Sequence, residues 1–354
     1  MDTRDQRHNK ESITSSRPTP VSTVSGDEVQ VLLAKLERAS PYLPNNIPYY
    51  DLSSVPKNDN RNKPPKHLLQ LESMLNHLNA HGLLNNDTTY IEFGCGTAKL
   101  SDCISERLQG KASHVLIDRK SFSAERMRDG AIMARCALST NHHQQYQHCT
   151  NKNTLKRLTM DIEDFDLDSL EYCLPLNTVG VSKHLCGPAA DATIRCVSTR
   201  DIPLLVATCC HYLCQLDTFC NTDFVVRELG FTEREFEILS IISGWASIKV
   251  NQSSLIPPPT HEEPFPPPLP IEPLSQKITY TSTISSDEFE RTYSREEKQR
   301  LGKRCKVVLD TGRAHYLVSM GYSVQLVQYT SLSMENHLLI ATPCTLPEPN
   351  KDLE

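Results

Sequence analysis

Apolar residues are scarce in this sequence: they fill 38% of its 354 positions, which also include 23 prolines. A chain of that composition cannot bury its whole length, so part of it is expected to lie outside any packed core. No window approaches the ~20 consecutive apolar residues of a membrane-spanning helix, and no membrane partner is expected. The first ten residues, MDTRDQRHNK, contain no apolar run, so no secretory leader is expected either. The 13 cysteines are therefore read as reduced thiols or metal ligands in the cytoplasm or nucleus. Positive charge is not in excess; the net charge is −6. A nucleic-acid partner would have to be held by a local basic patch, and no DNA partner is expected. There are no internal repeats. The length allows one large α/β domain with an appendage.

What is present centres on residues 89–101, TYIEFGCGTAKLS. Thr89–Phe93 is β-branched, aromatic and apolar, as a buried strand requires. Gly94, Cys95, Gly96, Thr97 and Ala98 turn the chain, and Lys99 opens a helix. Glycines at such a junction permit backbone angles and close ligand approach that a Cβ forbids. A strand, a glycine turn and a helix N-terminus form a nucleotide-shaped pocket. Glu92 would repel a phosphate there and suits a cationic ligand such as S-adenosylmethionine. On the pattern alone, a plain tight turn remains an equal reading.

Around this centre the chain divides into four parts. Residues 1–25 read as a disordered tail, and residues 26–85 as a helical N-terminal extension. Within the extension, residues 29–38 and Lys66–Ala80 are the helices; the second repeats Leu68, Leu71, Leu75 and Leu78 at three- and four-residue steps. Residues 86–345 form the main domain, interrupted at about 251–290 by a proline-rich stretch read as a disordered insertion. Residues 346–354 are a tail. Ser294 and Glu297 form a capping box that opens a late helix, ending near Gly321. Residues 322–329 and 337–341 read as a terminal strand pair.

Further strands are expected at Ser113–Asp118, at 158–165, at 178–182 and at 204–208. Asp118 lies 22 residues beyond Gly96. There a carboxylate accepts both ribose hydroxyls in a doubly wound sheet, or simply forms a turn. Asp161, Glu163 and Asp164 suit an adenine amino group or a helix cap. Lys183-His184-Leu185-Cys186-Gly187 and Cys209-Cys210-His211 follow successive strands. Lys, His and Cys are thus delivered to the rim where open α/β sheets hold ligands.

The segments EFGCGTAKLS, SKHLCGPAADATIRC, ATCCHYLC, LGKRCKVVLDTGRAHYL and SMENHLLIA together resemble the eukaryotic tRNA 2'-O-methyltransferase family. The likeness runs in order from about His67 to Ala341, outside the proline-rich stretch. It implies a doubly wound, mostly parallel, seven-stranded Rossmann-like sheet whose last strand is antiparallel. It also implies S-adenosylmethionine as cofactor and methylation of the ribose of nucleotide four in the tRNA acceptor stem. Glu92, Gly94, Gly96 and Asp118 are then expected to hold the cofactor, with Asp161 on its adenine side. Lys183, His184 and His211 are expected to serve the ribose as base or orienter. A methyltransferase of a protein or small molecule, and a non-catalytic RNA- or zinc-binding module, are the alternative functions. Two departures stand out: Ala98 replaces the family's third glycine, and residues 1–80 lack the cysteines its N-terminal zinc fingers need.

Cys209, Cys210, His211 and Cys214, with Cys186, raise the question of zinc. Adjacent Cys209 and Cys210 would point to opposite sides of a continuing strand, and the paired Cys-x2-Cys spacing is missing. Packed thiols, not bound zinc, are the expectation. For RNA, Arg300, Lys303, Arg304 and Lys306 on the late helix are the first candidates. Lys152, Lys156 and Arg157 form a second group, each suited to backbone phosphate.

Overall fold

In the computed structural model the described residues are 24–44, 46–53, 65–140, 154–170, 177–249 and 293–344. The expected tails, apart from Val24 and Ser25, and the proline-rich 251–290 stretch lie outside them, as does Lys152. Seven strands form one sheet: β1 (Thr89–Phe93), β2 (Ser113–Asp118), β3 (Leu155–Thr159), β4 (Thr178–Cys186), β5 (Leu204–Cys209), β6 (Tyr322–Gln328) and β7 (His337–Pro343). Their spatial order is β3-β2-β1-β4-β5-β7-β6. β1 to β5 run parallel, and β7 is antiparallel to both its neighbours. This is the mostly parallel, doubly wound sheet with an antiparallel last strand that the sequence predicts. The winding reverses between β1 and β4, so the crevice for a ligand opens at their carboxyl ends.

Both faces of the sheet are covered, which is why its strands are apolar on both sides. Tyr90, Val181, Leu205 and Leu338 meet helix α2 (Lys66–Ala80) and α3 (Lys99–Arg107) on one face. Ile91, Phe93, Val206 and Leu339 meet α5 (Pro188–Ser198) and the end of α7 (Arg295–Ser319) on the other. Helix α4 (Asp129–Thr140) joins β2 to β3, with Ile132 and Cys136 packed under the glycine turn. α2 therefore belongs to the sheet's own helical layer. Only α1 (Gly26–Ala39) extends from it, packing Val29, Leu32 and Leu36 against α6 (Glu233–Ser243) and the first half of α7.

Two strand boundaries differ from expectation. β3 begins at Leu155 instead of residue 158, and the acids after it cap a turn: Asp161 accepts the Glu163 amide at 3.3 Å and opens a 3-10 helix, Ile162–Asp164. β4 continues past Ser182 to Cys186 through an irregularity between Lys183 and Leu185. α4 and α6 have no counterpart in the sequence reading. α6 carries a legible start nonetheless, a Thr232–Glu235 capping box.

α7 is the longest helix among the described residues, at 25 residues, and serves two cores at once. Gly302 presses on the backbone of Trp245 and Ala246 with no room for a Cβ. The Gln299 side chain donates to the Ile248 carbonyl at 2.7 Å. No helix of the described residues is long and apolar enough to cross a membrane.

Candidate active site

The turn after β1 is held from three sides. Gly94 has φ +63°, and a Cβ there would lie 2.7 Å from the Leu185 side chain of β4, so a larger residue would strain the backbone and push Leu185 aside. The Gly96 amide donates to Asp118 Oδ2 at 2.8 Å, and the Lys120 amide donates to Oδ1 at 2.8 Å. Arg157 of β3 donates to the Gly96 carbonyl at 3.1 Å and grips Asp129 with two bonds of 2.7 Å. That bond pair holds the guanidinium well above its usual value. Arg157 is thus a clamp on the turn and is not free for RNA.

Glu92 does not line the pocket. It is 3% exposed, and its Oε2 accepts the Ser101 amide at 2.9 Å, anchoring the start of α3. That helix needs an outside acceptor because its N-cap, Ala98, has no side-chain oxygen to offer. Burial pushes the Glu92 carboxyl up to about 7. Ala98 adopts a left-handed φ of +62°, as its glycine counterpart would, and its methyl packs beside Leu116 and Ile132. The extra carbon is in the core and leaves the pocket clear.

A pocket of about 820 Å³ opens along the strand ends, with Gly94, Asp118, Asp161, His184 and Cys186 in its wall. Its far side is acidic, with Asp217, Glu233 and Glu237. Asp118 and Asp161 both reach it, so each is a fixed turn-former and a pocket group at once. A cradle with a close backbone approach at Gly94 and a carboxylate wall fits S-adenosylmethionine, whose sulfonium and amine are positive.

Lys183 and His184 are consecutive, yet their side chains meet: Lys183 Nζ lies 3.0 Å from His184 Nε2. Alternation would put them on opposite faces. His184 avoids this with φ +67° at the break in the β4 register, a strained setting for a non-glycine residue. Burial lowers the pKa of Lys183, and Lys99 and Lys66 lower it further. Burial and the adjacent Lys183 lower that of His184.

His211 is elsewhere. It is 2% exposed, and its Nε2 donates to Asp310 of α7 at 2.8 Å. Asp310 also accepts from His337 at 2.7 Å, Thr208 at 3.1 Å and Arg313 at 3.0 Å. Burial would raise this carboxyl, but His211 and His337 drive it well below its usual value. Arg313 continues the network to Asp191 at 2.7 Å and Cys214 Sγ at 3.2 Å. The expectation that His211 touches the ribose is corrected: it is a strut of a buried polar network. The same network claims Lys306, which donates to the Met334 carbonyl at 2.9 Å and to Glu335 at 3.0 Å while only 2% exposed. Lys306 is removed from the RNA candidates. Arg304 pairs with Glu37 of α1 at 2.8 Å, whereas Arg300, Lys303 and Lys156 are exposed.

The thiols divide differently from the sequence reading. Cys214 joins Arg313, while Cys186 Sγ lies 3.2 Å from Cys210 Sγ and 3.6 Å from Cys209 Sγ. Cys209 and Cys210 do not diverge, because Cys210 takes φ +50° and turns back.

Comparison with known proteins agrees with this geometry. A family model described as "Methyltransferase TRM13" matches residues 69–342, which include both strand-end motifs. A Dictyostelium discoideum protein named "tRNA:m(4)X modification enzyme TRM13 homolog" is 32% identical over 53% of this chain and 35% of its own. "tRNA:m(4)X modification enzyme TRM13" of Yarrowia lipolytica is 30% identical over 78% of this chain and 59% of its own. The human homologue is 25% identical over 92% and 75% respectively. This chain thus spans about a third to three fifths of the first two relatives. A crystal structure of coclaurine N-methyltransferase with N-methylheliamine and SAH overlays at a TM-score of 0.28 and 10% identity, covering 54% of this chain and 52% of that one. That overlay is too loose to weigh. The family match extends from residue 69 in α2 to residue 342 in β7, a span that includes every strand end that builds the pocket, and on that extent the chain belongs to the TRM13 methyltransferase family.

Proposed function

We propose that this domain methylates a ribose 2'-hydroxyl of tRNA, at nucleotide four of the acceptor stem, with S-adenosylmethionine as donor. Family membership and the relatives' printed role in tRNA modification support the reading. The observation that carries it is the Lys183–His184 pair, joined at 3.0 Å on a strand end packed against Gly94. A 2'-hydroxyl is a poor nucleophile until a base takes its proton, and a positioned base contributes on the order of 10²–10⁴-fold.

When bound, S-adenosylmethionine supplies an electrophilic methyl group on a sulfonium. Asp118 and Asp161 would hold it, with Gly94 letting it approach the backbone. Burial shifts both Lys183 and His184 toward their neutral forms, the direction a base needs, and the pair would accept the hydroxyl proton between them. The pocket wall carries Arg119 and Lys120 as well as its acids. The exposed Lys66, Lys99, Arg119 and Lys120 lie on the segments around the same strand ends and suit the RNA backbone. An acceptor stem is an A-form duplex, recognised by shape, phosphates and 2'-hydroxyls.

The test is transfer of labelled methyl from S-adenosylmethionine to unmodified tRNA, with the product ribose mapped. Label at ribose four is expected. Label on another nucleotide, or on protein alone, defeats the assignment. Calorimetry showing no S-adenosylmethionine binding defeats the enzymatic reading altogether.

A further inference from the structure

Cys186, Cys209 and Cys210 form a group that the proposed methyl transfer does not use. Their sulfurs all lie within 4.8 Å of one another, with Cys186 3.2 Å from Cys210 and 3.6 Å from Cys209. Zinc–thiolate bonds of about 2.3 Å in a tetrahedron place neighbouring sulfurs roughly 3.8 Å apart. The Cys186–Cys210 and Cys186–Cys209 pairs need to open by about 0.6 and 0.2 Å to share one ion.

The backbone is bent to bring them together. Parallel pairing sets Cys186 beside Cys209 at the ends of β4 and β5. Alternation would send Cys210 to the other face, but its left-handed φ of +50° returns it to the group. That conformation costs a non-glycine residue about 1–2 kcal/mol. Packing alone does not account for the arrangement. A thiol that serves as a small hydrophobe is buried, as Cys209 is, whereas Cys186 is exposed and Cys210 half-buried.

We propose that Cys186, Cys209 and Cys210 bind one zinc ion. Three sulfur donors select a thiophilic metal over magnesium or calcium. Each ligating thiol gives up its proton to solvent as its Zn–S bond forms. The ion ties the end of β4 to the end of β5, beyond the irregularity that joins Lys183 to His184. Three protein ligands leave a fourth position, and one of the three, Cys186, lies in the pocket wall. Sites of this kind, with one position left open, are the pattern of reactive zinc rather than of closed structural zinc. The assignment is independent of the substrate: a chain that held zinc but methylated no RNA would retain it.

The experiment uses the full chain, expressed without a metal-binding tag, kept reduced and stripped with a chelator. Titration with cobalt(II) should raise a thiolate-to-cobalt charge-transfer band that saturates near about one equivalent, and zinc(II) should displace it. Cys186→Ser and Cys210→Ser, isosteric changes at accessible positions, should each weaken cobalt binding about 100-fold or more, while Cys344→Ser leaves it unchanged. On the unsubstituted chain, zinc should protect Cys186 from iodoacetamide, read by mass spectrometry. Absence of the band overturns the proposal. So does a band untouched by both serine substitutions, which would put the ion elsewhere, for example at His211, Asp310 and His337. A chain that takes no metal and closes a Cys186–Cys210 disulfide once reductant is removed also overturns it.

Discussion

The two sides of the crevice are built differently. At the tip of β1, positive φ falls on Gly94, Gly96 and the one alanine of the turn, and nearly every polar group is spent on main chain. At the tips of β4 and β5 it falls on His184 and Cys210, residues for which it is costly. The first side shapes a cradle; the second aims side chains. Ala98 shares that strain on the first side, and Asp87, Gln109 and Asp201 carry it elsewhere, so what marks the second side is that its strained residues bear reactive side chains.

The sharpest way to break this contrast is to remove what holds the second side from beneath. Asp310→Ala would leave His211, His337, Thr208 and Arg313 without their shared acceptor. A loss of roughly 3–5 kcal/mol is expected in urea unfolding, as for other broken buried ion pairs. Next, Lys183→Ala and His184→Ala should lower methyl transfer by about 10²–10⁴-fold, with cofactor affinity and melting temperature nearly unchanged. Undiminished turnover in both would remove the pair from the mechanism.

On the cradle side, Glu92 gives a pH signature. Its folded pKa, about 7, stands above the unfolded 4.5. Its stabilising contribution is therefore full below 4.5 and lost as the pH rises through about 7. The stability of the wild type relative to Glu92→Gln should fall across that window by up to ~3 kcal/mol, measured by unfolding at a series of pH values. Arg157→Ala should cost about 2 kcal/mol and weaken cofactor binding, and Arg157→Lys should not restore it, because one ammonium cannot span both Asp129 oxygens. The smallest effect is Ala98→Gly. It relieves the left-handed alanine but forfeits a buried methyl, so a change within ~1 kcal/mol is expected by calorimetric melting.

The sheet was legible because its signals are local. Thr89–Phe93, Ser113–Asp118 and Lys66–Ala80 lie where composition and periodicity place them. Of the strand-end motif residues, His184 and Cys186 line the pocket and Lys183 lies beside His184, while His211 is held by Asp310. Sequence alone could not say which way consecutive residues face once a strand departs from alternation. His184 and Cys210 each break the period of two, and the objection to a thiol cluster rested on that period. Burial of charge was equally hidden. Lys306 and Arg157 read as surface cations because their partners, Glu335 and Asp129, are 29 and 28 residues away in sequence. Asp310 and Arg313 carried a faint sign: opposite charges three apart on the apolar side of a helix are seldom there for solubility.

The contact of Gly302 with Ala246 has a consequence for the gene. With the Gln299 bond to the Ile248 carbonyl, it holds the chain just before residue 249 against the first turns of α7. A side chain at position 302 would meet main chain, which cannot swing aside as a side-chain tip can, so descendants of this protein should keep glycine there while exposed positions of the same helix change.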